Sequence, residues 1–178
     1  WRVGQRVAFA DSPHANAEAV AVSLDKLIRL PDSIDFDTAA AVLLQGLTAQ
    51  FLCADSYAVR AGDNVLVHAA GGGVGLLLTQ LAAARGANVI AIASTEAKRK
   101  AALRAGAQIA IDSGDGWAQR VRVALPDGAD VVYDSIGRTL KDSLALARIG
   151  GTVVFYGIHA GDPDPVEKSL TMDRSLTP

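Results

Sequence analysis

Cysteine occurs once in 178 residues, at position 53. A single thiol excludes a disulfide framework and any zinc site built from several cysteines, and it suits a reducing, cytoplasmic compartment. Aromatic residues are scarce at 5%, and a basic excess is absent: 17 Lys and Arg stand against 19 Asp and Glu, for a net charge of −2. Without surplus positive charge there is little to neutralise a phosphate backbone, which excludes nucleic acid and other polyanions as partners. The three histidines, at 14, 68 and 159, are scattered without ligand spacing, so no metal site is expected. No signal-peptide pattern is visible at the start, which is Trp1 rather than methionine. The stretch from Val65 to Ala84 has about the length of a membrane span. His68, Gln80 and three adjacent glycines interrupt it, so no membrane partner is expected.

What the chain does have is half hydrophobic residues, ample for a core of its own, and one organising stretch from Asn64 to Ala87. Val65, Leu66 and Val67 form an apolar run without polar alternation, as in a parallel strand buried on both faces. Glycines at 71, 72, 73 and 75 then allow a sharp turn, and a helix with Leu76, Leu77, Thr79, Gln80 and Leu81 runs toward a Gly86 stop. The pattern is Ala70-x-Gly72-x-x-Gly75, with alanine at the first position of the dinucleotide fingerprint. Ala70, Gly72, Gly73, Val74 and Gly75 are therefore expected to hold a pyrophosphate, aided by the free N–H groups and dipole of the helix start. Gly75 would allow close backbone approach and helix packing.

The remaining elements alternate. Two short strands are expected at residues 6–10 and 17–22, with a turn-rich loop between them. A helix enters after Pro31, capped by Asp35 or Asp37, and Gln45-Gly-Leu-Thr-Ala49 interrupts or joins two helical stretches. Strands follow at 88–93, 108–112, 129–134 and 151–156, and helices at 98–105, 116–125 and 139–149; beyond Ala160 the chain reads as loop and then a tail without a clear period. Strands alternating with helices imply an α/β fold, a doubly wound parallel sheet of the Rossmann type. In such a sheet the second strand's end selects the cofactor: an acid there holds the ribose hydroxyls of NAD, and a cation suits the 2′-phosphate of NADP. Position 94 is serine, and Lys98, Arg99 and Lys100 follow, which favours NADPH. Glu96 is the opposing feature, better explained as an acid in a helix's first turn. Tyr133 reads as a core residue and Asp134 as a cap for the turn after its strand.

Three separated motifs carry a resemblance. Val67-His-Ala-Ala-Gly-Gly-Gly-Val-Gly75, Gln45-Gly-Leu-Thr-Ala49 and Val132-Tyr-Asp-Ser-Ile-Gly137 together resemble the zinc-free quinone oxidoreductase branch of the medium-chain dehydrogenase/reductase superfamily. The resemblance implies residues 1–31 as the tail of a GroES-like β-rich catalytic domain and 32–178 as an NAD(P)-binding Rossmann domain, both incomplete parts of a longer enzyme. It also implies NADPH as cofactor, with Ser94 and Lys98 on the 2′-phosphate, Ser135 and Gly137 near the nicotinamide ribose, and Thr48, Phe155 and Gly157 toward the nicotinamide. Thr48 has a second reading, a helical threonine bonding back to its own backbone. Many relatives carry a tyrosine where this chain has Asp112, a departure that weakens the NADP preference. The implied reaction is hydride transfer from NADPH to a quinone, with an enal or enoyl thioester reductase as the alternative and a dinucleotide-binding module without turnover as a third reading. No catalytic side chain is named by the motifs, and the longer enzyme is expected to be a homodimer. The 178 residues alone are expected to bind cofactor without turning over.

Overall fold

The computed structural model describes residues 1–163 and 165, and these fall into two compact units, Trp1–Thr48 and a second that begins at Ala49. In the first unit β1 (Val7–Ala8) pairs antiparallel with β2 (Ile28–Arg29). The strand expected at residues 17–22 does not form: that stretch is bends and irregular chain, because the ladder partner of β1 is supplied ten residues later. The Arg6 guanidinium donates to Pro31 O (2.9 Å) and Ile34 O (2.6 Å) and lies over the Phe36 ring, tying β1 to the helix entry. Helix α1 (Phe36–Phe51) is capped by Asp35, whose carboxylate accepts from both the backbone N–H (2.7 Å) and the hydroxyl of Thr38. Asp37 occupies the first turn instead.

The motif Gln45–Ala49 causes no break. α1 runs through it and passes into a single π-helical turn, Leu52–Ser56. By length and composition the run Phe36–Ser56 could cross a membrane, with 21 residues at a mean hydropathy of 1.2. Only its end is packed: Ala49, Leu52 and Cys53 lie in the core of the second unit, where the carbonyl of Leu52 accepts a hydrogen bond (2.9 Å) from the buried Tyr133 phenol, while Val42, Leu44, Leu47 and Phe51 are exposed.

That second unit is a five-stranded, all-parallel sheet: β3 (Asn64–Val67), β4 (Asn88–Ala93), β5 (Ile109–Asp112), β6 (Ala129–Asp134) and β7 (Ala147–Phe155), in the order β5-β4-β3-β6-β7. The chain moves outward from β3 to β5, returns, and moves outward again on the other side, so the order reverses beside β3. Helices α2 (Gly73–Ala84), α3 (Glu96–Arg104), α4 (Trp117–Ala124) and α5 (Leu140–Leu146) connect the strands. Strand residues alternate between two cores. Val65, Val67, Val89, Ala91, Val131 and Tyr133 face one; Leu66, Ile90, Ile92, Val132 and Val153 face the other. Helices thus cover both faces, which is why the strands read as unbroken apolar runs.

The boundary between α5 and β7 differs from its expected place. α5 ends at Leu146, and Ala147 is already extended and paired with Ala129. The residues after it form an irregularity in the β6–β7 ladder around Gly150 (φ +72°), and Asp130 stabilises it by accepting from both Asn64 N (2.7 Å) and Arg148 Nε (2.6 Å). Local composition favoured a longer helix there, and the ladder to β6 overrides it.

Candidate dinucleotide-binding site

A cleft of about 810 Å³ opens at the carboxyl ends of β3, β4, β6 and β7, where the strand order reverses. This is the position at which open parallel sheets bind ligands. Its floor is the turn between β3 and α2. Ala69 there adopts a positive φ of 47° and its carbonyl accepts from Gly72 N (2.8 Å), turning the chain sharply. Gly72 is the N-cap of α2 and offers no side-chain cap, so the first N–H groups of the helix, at residues that line the cleft, have no partner of that kind. Residues 71–75 all line it. An uncapped helix start in a cleft of this size fits the pyrophosphate of a dinucleotide.

On the β4 side, Ser94 and Lys98 line the cleft. Thr95 caps α3, accepting from Lys98 N, and Glu96 occupies the first turn, ion-paired with Lys100 at 2.6 Å. The acid that argued against NADP is thereby engaged on the outer helix face. Asp112 is likewise engaged: it is ion-paired with Arg99 and accepts from Gly114 N (2.8 Å). That backbone bond, with the charges of Arg99 and Arg120, holds its carboxyl below the ordinary range. The Lys98 stem passes directly over Gly71, where an added Cβ would lie 2.5 Å from Lys98 Cβ. Gly71 therefore makes room for the lysine.

On the β6 and β7 side, Ser135, Ile136, Thr139, Tyr156, Gly157, Ile158 and His159 complete the lining. Asp134 organises this end. Its buried carboxylate accepts from Ile136 N (2.8 Å), Gly137 N (3.3 Å), the Thr139 hydroxyl (2.8 Å) and the Ser143 hydroxyl (2.6 Å). Since Ser143 gives its proton to Asp134, its oxygen accepts from His68 Nε2–H at 3.0 Å. His68, 1% exposed at the end of β3, makes a T-shaped contact with Trp117 at 5.0 Å between ring centroids.

Of the residues expected to hold a cofactor, the cleft gathers Gly72, Gly73, Val74, Gly75, Ser94, Lys98, Ser135 and Gly157. Four others lie outside its lining. Ala70 is fully buried, with its N–H donating to Ile92 O (3.0 Å). Gly137 serves the turn at φ +95°, and Phe155, the last residue of β7, is exposed outside the lining that its neighbour Tyr156 joins. Thr48 belongs to the first unit, where its hydroxyl donates back to Leu44 O (2.9 Å). Sequence patterns did not flag Ser113, Trp117, Thr139 or His159 as lining residues, nor the His68–Ser143 bond, which joins positions 75 apart.

Burial lowers the His68 pKa below that of an exposed imidazole, against the opposing pull of Asp134 and Asp142. The folded chain then binds fewer protons than the unfolded chain in the window below about 6.5, so stability should fall as the pH drops through it. Thermal melts between pH 7.5 and 5 should show this slope, and His68→Gln should flatten it; an identical slope in both would show that another group carries it.

A five-stranded parallel sheet with a glycine-turn cleft at its switch point defines the Rossmann class of dinucleotide-binding folds. The family profile "Zinc-binding dehydrogenase" matches residues 73–177. A probable quinone oxidoreductase of Schizosaccharomyces pombe is 41% identical over 177 residues, 99% of this chain and 54% of that protein. A 2-haloacrylate reductase of Burkholderia is 39% identical over 93% of this chain and 52% of its own. Among solved structures, a Pseudomonas syringae quinone oxidoreductase matches with a TM-score of 0.93 at 36% identity, over 99% of this chain and 56% of its own. The Escherichia coli quinone oxidoreductase complexed with NADPH matches with a TM-score of 0.80 at 36% identity, over 85% of this chain and 48% of its own. The chain belongs to the zinc-binding dehydrogenase family, in the quinone oxidoreductase branch of the medium-chain dehydrogenase/reductase superfamily. It spans about half the length of the curated relatives it matches.

Proposed function

We propose that this chain is the cofactor-binding part of an NADPH-dependent oxidoreductase that delivers hydride to a quinone. The observation that carries the cofactor assignment is the arrangement at the end of β4. Lys98 lines the cleft over Gly71, while the two nearby acids are paired elsewhere, Glu96 with Lys100 and Asp112 with Arg99. A cation thus faces the position of the 2′-phosphate, and neither of those two acids competes for it. Gly72, Gly73 and Val74 would hold the pyrophosphate, and Ser135, Tyr156 and Gly157 would flank the nicotinamide end. The bound cofactor supplies the hydride. The protein's part is to orient it and to keep water from the reacting face. An α,β-unsaturated carbonyl is the second substrate reading, supported by the likeness to the 2-haloacrylate reductase. By this reading the 178 residues bind NADPH through one contiguous unit, and turnover depends on residues of the longer protein.

Lys98→Ala tests the assignment. It should weaken NADPH by roughly tenfold, about 1.5 kcal/mol, near the lower end for bonds to charged groups because the ammonium is exposed. NADH should change little. Calorimetric titration of both cofactors decides it: equal losses would remove the 2′-phosphate role, and a native preference for NADH would return it to Glu96.

A further inference from the structure

Trp117 is one of only two tryptophans in the chain, and no dinucleotide motif calls for it. It begins α4, lines the cleft together with Ser94, Lys98 and Ser113, and packs on the core beneath β4 and β6. The sheet order fixes which end of the cleft this is. Phosphates lie at the turn after β3, and the ribose belongs to the end of β4, so the base beyond the ribose lies toward β5, whose end leads through Ser113 to Trp117.

The indole is also held before any ligand arrives. It meets His68 in a T-shaped contact, His68 donates to Ser143, and Ser143 donates to Asp134. All three of those partners are buried. One chain of contacts therefore runs from the ribose loop after β6, under the phosphate turn, to the aromatic wall at the β5 end. A side chain already fixed loses little conformational freedom on binding a flat ring.

We propose that Trp117 is the adenine-contacting wall of the site, and that His68, through Ser143 and Asp134, is its positioning residue. The proposal rests on the dinucleotide reading of the cleft and adds a base-recognition residue to it. Aromatic contact with a base is sequence-tolerant and strong enough to show as roughly a tenfold change in affinity.

Replacing Trp1 with phenylalanine leaves Trp117 as the sole indole, so its emission can be followed directly. Titration with adenosine 2′,5′-bisphosphate, which carries base and 2′-phosphate but no nicotinamide, should quench that emission saturably. Trp117→Leu should weaken both the bisphosphate and NADPH roughly tenfold, and Trp117→Phe should restore most of the loss. Calorimetric binding of the bisphosphate without any quenching would overturn the proposal even if Trp117→Leu failed to fold. Unchanged affinity in a folded Trp117→Leu would do the same. If the parent binds neither NADPH nor the bisphosphate, the dinucleotide reading falls and this one with it. Ser143→Ala should lower the fluorescence anisotropy of Trp117 and weaken the bisphosphate while sparing the NADPH-over-NADH preference. Unchanged anisotropy would remove the positioning role from His68.

Discussion

Gly75→Val should leave no measurable NADPH binding, and it should act by deforming the phosphate turn from within. An added Cβ at position 75 would lie 2.4 Å from the carbonyl oxygen of Ala69 and 2.7 Å from Cα of Ala70. Both are backbone atoms of the same turn, so no side-chain rotation relieves the clash. Gly75 is thus the packing glycine that lets α2 start hard against the end of β3. The turn has little slack, since Ala69 already holds a positive φ and closes onto Gly72 N. Forcing extra atoms into such a site costs roughly 1–3 kcal/mol, and valine's branched Cβ puts this case toward the upper end. For a domain of this size that corresponds to a fall in Tm of roughly 3–10 °C. Gly72→Ala is the control for the stability effect alone, because its Cβ would meet only Ala69 O, at 3.2 Å, although the residue itself lines the cleft. Calorimetry and thermal melts on both variants decide the matter. A Gly75→Val chain with parental affinity and parental Tm would show that the turn does not form the phosphate site.

The parts of the fold that could be read from sequence are those where local pattern and tertiary environment agree. β3, β4 and β6 are apolar runs buried on both faces, and their spans match the runs closely. The structure departs from expectation where pairing overrides composition. Residues 17–22 alternate like a strand but have no ladder partner, and residues 147–149 extend an alanine- and leucine-rich pattern yet begin β7, with Ala147 paired to Ala129 of β6. The same division holds in the cleft. Glycines 72, 73 and 75 announce themselves because a turn of fixed spacing demands them. His68, Ser143 and Trp117 do not, because nothing in their sequence neighbourhoods encodes a contact across dozens of residues. Asp134 falls between the two. Its role as the cap of the following turn was legible from its place at a strand end, while its link to Ser143 and His68 was not.

Asp134→Ala should be the most destabilising single change in the second unit. The carboxylate is fully buried and is the shared acceptor for two backbone N–H groups and two hydroxyls, those of Ile136, Gly137, Thr139 and Ser143. Removing it strands all four donors at once. A buried donor left unsatisfied costs about 1–3 kcal/mol, and the costs do not simply add, because the hydroxyls of Thr139 and Ser143 can rotate toward other acceptors. The two backbone N–H groups cannot rotate, so a loss of at least roughly 3 kcal/mol remains. That is a large share of the roughly 5–15 kcal/mol by which domains are stable. The expected fall in Tm is roughly 6–12 °C or more. Asp134→Asn keeps one acceptor oxygen but turns an amide N–H₂ toward a hydroxyl that now donates, so it should lie between the parent and Asp134→Ala. Function should follow stability only in part. Ser135 and Ile136 line the cleft and depend on the cap for their path, so any folded Asp134→Asn chain should bind NADPH more weakly than its melting temperature alone would suggest. Thermal melts paired with NADPH titration well below the Tm separate the two effects. An Asp134→Ala chain melting within a degree or two of the parent would mean that the four donors find other partners, and that the cap does not hold this end of the cleft together.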